Sequence, residues 1–95
     1  MDKRTEYVER LSSQMVEWDM QIDQLKIKAT SAKPEERLEY SNAIAALKQK
    51  REEAAVKLQG ISSAGDDEWE ELKTGTEQVW GEIRRMLRDA IRKIK

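Results

Sequence analysis

Apolar residues recur along this chain at alternating intervals of three and four, and that spacing admits few folds. Val8, Leu11, Met15, Trp18, Ile22, Leu25 and Ala29 form one such series; Tyr40, Ile44, Leu47, Arg51, Ala54, Leu58 and Ile61 form a second. A helix turns every 3.6 residues, so each series lies along one stripe of a helix. In the first, Val8, Met15 and Ile22 make one column of a heptad seam and Leu11, Trp18 and Leu25 the other. The second seam is out of register with the first by one position. A single uninterrupted helix would therefore swing its apolar face at the junction.

The junction carries its own break signal, Ala29-Thr-Ser-Ala-Lys-Pro34. Proline suits the first turn of a helix and disfavours its interior, which puts the second start between Ser31 and Pro34. Glu35 and Glu36 then meet the positive end of the helix dipole. A second break, Gly60-Ile-Ser-Ser-Ala-Gly65, offers a terminating glycine, with Ser63 or Asp66 as N-cap of a third helix. The expected elements are helix one over about 3–30, helix two over about 34–60 and helix three over about 66–94, in a single helical domain spanning 1–95. Two helices of similar length joined by a short connection favour an antiparallel hairpin.

Helix three has a wider stripe: Trp69, Leu72, Thr76, Val79, Trp80, Ile83, Met86, Leu87, Ala90, Ile91 and Ile94. A face that broad packs against two helices at once or lies on something large and flat. Gly75 and Gly81 interrupt the same helix, each at about 1 kcal/mol relative to alanine, so it needs outside contacts to hold its shape. The fold class is therefore all-α, an antiparallel coiled-coil hairpin plus a third helix. That third helix either closes a three-helix bundle or packs on a neighbouring copy in a swapped oligomer. Charged residues are 39% of the chain and the hydrophobic set 38%, a balance suited to helices that bury one stripe each. Helix–helix contacts are expected at Val8, Leu11, Met15, Trp18, Ile22, Leu25, Tyr40, Ile44, Leu47, Arg51, Leu58, Trp69, Leu72, Val79, Trp80, Ile83 and Leu87. Trp18, Trp69 and Trp80 are read as core rather than as a ligand box. Arg51 either lays its stem along the seam with its head in water, or fixes register and partner number.

The composition removes much of the usual chemistry. Histidine and cysteine are both absent, so the commonest general base, thiol nucleophiles, zinc fingers and iron–sulfur ligation go with them. Lys73-Thr-Gly-Thr76 lacks the spacing of a phosphate-binding loop. Asp66-Asp-Glu-Trp-Glu-Glu71 lacks the ligand order and turn glycine of a calcium loop, and reads as acids at a helix start. No catalytic, cofactor-binding or metal-binding residue is expected, and no enzyme.

A formal net charge of −1, with acids and bases interspersed, gives no field to gather nucleic acid. Arg84, Arg85, Arg88, Arg92, Lys93 and Lys95 cluster near the end. They either complement the helix dipole or form a basic edge able to rest on an anionic membrane surface. No apolar run approaches the roughly 18 residues of a membrane span, and the start leads into no apolar signal core; a cytoplasmic location is expected.

The chain resembles a family of short bacterial coiled-coil proteins of the salt- or acid-stress response. The likeness is carried by Glu6-Tyr-Val8, by Glu17-Trp18 followed by Ile22 and Leu25, and by Leu47-Lys-Gln-Lys-Arg-Glu-Glu-Ala-Ala55. Trp69-Glu-Glu-Leu-Lys73 and Glu77-Gln-Val-Trp-Gly-Glu82 carry most of it. The resemblance implies a cytoplasmic, helical, non-enzymatic protein with no catalytic residues to carry over. The leading expectation is a homo-oligomer, or a partner of another protein, that associates through its coiled-coil seams in a stress response. The alternative is a membrane-surface binder acting through helix three.

Overall fold

The computed structural model describes residues 3–94, with side chains up to Arg92. It contains α1 (Lys3–Thr30), α2 (Pro34–Ser63) and α3 (Trp69–Ile94) in a bundle with extents of 51 × 20 × 17 Å. Helix α1 closes with a tightened turn, in which the Ser31 and Ala32 amides bond the Lys28 and Ala29 carbonyls at 3.1 and 3.2 Å. Lys33 is extended (φ −64°, ψ 150°), as a residue before proline must be, and Pro34 takes the first helical position. The side chain of Arg37 reaches back to the Ala32 carbonyl at 3.0 Å, satisfying an acceptor left over at the corner.

The second corner departs from the expectation. Helix α2 runs through Gly60 to Ser63, and the chain leaves it at Ala64 in an extended conformation (φ −74°, ψ 157°). No glycine among the described residues has a positive φ, so the left-handed cap for which Gly60 is suited is not used. Burial explains the extension: Ile61 is fully buried, and ending the helix at residue 60 would withdraw it from the core. Neither Ser63 nor Asp66 opens α3 directly. A turn intervenes, in which the Gly65 carbonyl accepts from the amides of Glu68 (3.0 Å) and Trp69 (3.3 Å). The guanidinium of Arg4 donates to the Ala64 carbonyl and lies 3.8 Å from the Asp66 carboxylate, tying the start of α1 to this corner.

Ion pairs set the register. Arg51 donates twice to Asp19, Nε to Oδ1 and a terminal nitrogen to Oδ2, both at 3.0 Å, so α1 and α2 are antiparallel. Lys50 meets Glu82 at 2.5 Å, and Lys57 Nζ lies beside Gly75, so α2 and α3 are antiparallel as well. Helix α3 therefore runs parallel to α1, with Tyr7 against Trp69 (ring centroids 5.9 Å) and Trp18 against Trp80 (4.9 Å). The third helix folds back on its own hairpin, and its broad stripe is broad because it packs on two helices.

One continuous core results, in which Trp80, Leu47, Ile61, Ile83 and Thr76 are the largest side chains almost wholly removed from solvent. The Thr76 hydroxyl donates to the Leu72 carbonyl at 2.9 Å, which satisfies the buried polar group. The head of Arg51 stays partly exposed and at the same time clamps a carboxylate of the adjacent helix across the rim of the core.

Candidate interaction face

The seams lie largely inside this one chain. Leu11, Met15, Trp18, Ile22 and Leu25 of α1, Leu47 and Leu58 of α2, and Trp69, Val79, Trp80, Ile83 and Leu87 of α3 are buried together. Val8, Tyr40, Ile44 and Arg51 are half-buried at the margins. Leu72 is 44% exposed, against expectation. Tyr7, outside the expected set, is 5% exposed and part of the core. A two-helix seam favours Val8, but the third helix extends the buried arc of α1 to the other side. The available signal was its spacing, four residues before Leu11 and eleven before Trp18, which puts all three on one face.

What the bundle leaves open lies on the α1/α3 flank. A groove of about 530 Å³ runs between these helices. Its floor is apolar, made by Trp18 and Leu87 with Ile91, which stays 41% exposed. Arg84, Arg88 and Arg92 border it on α3, and Gln14, Glu17 and Gln21 on α1. The three arginines are four residues apart, so they stack along one edge of the helix. Each like-charge neighbour at that spacing costs the isolated helix about 0.2–0.5 kcal/mol. The dipole compensates only within the last turn, which reaches Arg92 but neither Arg84 nor Arg88. Among the described residues, no ion pair reaches any of the three. Lys50 and Arg51, by contrast, are both engaged across helix interfaces.

The remaining basic positions separate from this row. Arg85 lies toward the α2 side of α3 with Glu82 and Asp89, where its charge helps hold the Glu82 carboxyl below its ordinary range, after the larger effect of the Lys50 hydrogen bond. Lys93 and Lys95 lie outside the described side chains. At the amino-terminal end of the same flank Tyr7 donates to Glu77 at 3.5 Å, and burial, then the Glu77 charge, pushes its phenol above the usual tyrosine range. The Lys73 ammonium sits 5.1 Å from the Tyr7 ring centre and 5.4 Å from that of Trp69, closing this end with cation–aromatic contacts.

Two other apolar features are exposed. A groove of about 430 Å³ between α1 and α2 is lined by Val8, Met15, Val16, Ala55 and Leu58 and ends at Arg51. On the outer face of α1, Val16, Met20 and Ile27 are 61%, 59% and 68% exposed at spacings of four and seven. Neither carries a charge row. Among the described residues no group of three or more acidic side chains is placed to hold a metal ion. No described helix is long and apolar enough to cross a membrane. Comparison with protein-family models, with curated proteins and with solved structures finds no match.

Proposed function

We propose that this chain is a non-enzymatic interaction protein that self-associates, through the α1/α3 flank rather than through its coiled-coil seams. The observation that carries the reading is the unpaired arginine row beside an open apolar groove. Its like-charge spacing is unfavourable to α3, and among the described residues no ion pair reaches any of the three cations. A surface combining apolar area with unmatched charge is suited to a partner that supplies carboxylates, and the chain is rich in carboxylates itself. The seams are a poorer choice, because α1, α2 and α3 already bury them against one another. A lipid surface would have to compete with α1 and α2 for the broad stripe of α3.

Solution mass tests the reading. Sedimentation or light scattering should show twice the 11.1 kDa chain mass at high micromolar concentration, falling toward the chain mass on dilution. A mass of 11.1 kDa held up to millimolar concentration overturns it. A role in a salt or acid stress response belongs to the same proposal and rests on the sequence resemblance. It requires the transcript to rise on osmotic or acid challenge, and a flat response to both removes it.

A further inference from the structure

Charge on the last third of the chain is divided sharply. Residues 66–80 hold six acids and one lysine; residues 81–95 hold six bases and two acids. The boundary is Gly81. On the outer face of α3, spaced by three and four, stand Glu70, Thr74, Glu77, Gly81, Arg84, Arg88 and Arg92. All are exposed except Gly81, which is half-exposed. A β-carbon at Gly81 would meet nothing within 4 Å, so packing inside the bundle does not require glycine there. Gly60 is equally open, but it lies at no such boundary.

We infer that two copies of this chain pair through α3 in antiparallel orientation, with the two-fold axis passing beside Gly81. This rests on the self-association proposed above and centres it on the outer face of α3, with the arginine row shared and the α1/α3 groove at its border. A two-fold contact must be self-complementary: residue i meets j, and j meets i. Positions equidistant from Gly81 then face each other. Glu70 meets Arg92 of the second copy, Glu77 meets Arg85, and Thr74 meets Arg88. No like charges face each other in this register, whereas a parallel pairing would set arginine on arginine. Glycine at the axis removes the only side chains that would meet their own copies, and lets the helices approach. With α-carbons on a cylinder of about 2.3 Å radius and axes about 10 Å apart, the two Gly81 α-carbons come within about 5–6 Å. One helix about 39 Å long offers less than the roughly 800 Å² per partner of a standard interface, so a dimer of micromolar affinity is expected.

The chain has no cysteine, which makes the geometry directly testable. In the full chain, Gly81→Cys places two thiols within the separation a disulfide spans, about 4.4–6.8 Å between α-carbons. Mild oxidation should cross-link it at least tenfold faster than Ser41→Cys, an exposed position on α2. Glu70→Arg should weaken the dimer about tenfold, and adding Arg92→Glu in the same chain should restore it; a thermal melt of each variant reads any effect on the monomer separately. Equal cross-linking from Gly81→Cys and Ser41→Cys in a chain that does dimerise overturns the inference and leaves self-association standing. Loss of the dimer on Met20→Lys but not on Glu70→Arg would move the interface to the outer stripe of α1 and overturn it too. A chain that is monomeric at every concentration removes both.

Discussion

The sharpest test of the fold is Gly60→Ala, because sequence and structure give it opposite signs. If α2 ended at Gly60 with a left-handed cap, a β-carbon there would be strained and the substitution would cost about 1 kcal/mol. In the structure Gly60 lies three residues inside the helix, and its φ is not positive. An added β-carbon finds nothing within 4 Å, so neither a clash nor a new contact enters the estimate. What remains is the backbone. Alanine exceeds glycine in a helix interior by about 0.8–1.0 kcal/mol, partly by restricting the unfolded chain. Exposure and proximity to the helix end bring the expected gain to about 0.5–1 kcal/mol. For a domain of this size that raises Tm by about 2–8 °C, measured by circular dichroism at a fixed low concentration. Any fall in Tm refutes the continuous helix through residue 60.

Leu47→Ala should cost about 2–5 kcal/mol in urea unfolding, since Leu47 is 1% exposed, while Leu38→Ala, at 70% exposed, should stay within about 0.5 kcal/mol; similar costs for both would contradict the assigned core. A double-mutant cycle on Arg51→Met and Asp19→Ala should give a coupling of about 0.5–1 kcal/mol for a bidentate, partly exposed pair, and zero coupling would mean the clamp contributes nothing. The hydrogen bond from Lys50, with its charge, lowers the Glu82 pKa below the ordinary carboxylate value. Its contribution is therefore present at neutral pH and lost as pH falls through that depressed pKa. Lys50→Met should raise the Glu82 midpoint in an NMR side-chain titration, and an unmoved midpoint would rule out the pair in solution. Tyr7, held above the usual tyrosine range, should ionise at higher pH than a free tyrosine, so its contribution to stability is lost only as pH rises through that raised value; ultraviolet difference spectra of a Tyr40→Phe variant would show a normal midpoint if Tyr7 were not packed against Trp69 and Glu77.

The candidate face was legible in the sequence only in part. Arg84, Arg88 and Arg92 were visible as part of a basic cluster, but so were Arg85, Lys93 and Lys95. A linear cluster does not reveal which side of a helix each charge takes relative to the neighbouring helices. Only the position of α1 makes a groove of three of them, whereas Arg85 keeps company with Glu82 and Asp89 through its own helical spacing. Arg51 was marked as a break in a seam, but the carboxylate that answers it is 32 positions away, on a helix whose register the spacing of α2 does not determine.

By itself the sequence determined that this chain would be helical, where its proline break would fall, and which stripes would be apolar. These depend on neighbours three and four positions apart, and such neighbours are set by the helix whatever surrounds it. Only the tertiary structure decided that α3 closes on its own hairpin, that α2 continues past Gly60 to keep Ile61 in the core, that Tyr7 is buried and that Leu72 is not. Each depends on what a distant segment places opposite a given turn, and spacing along one helix carries no information about the helix that will face it.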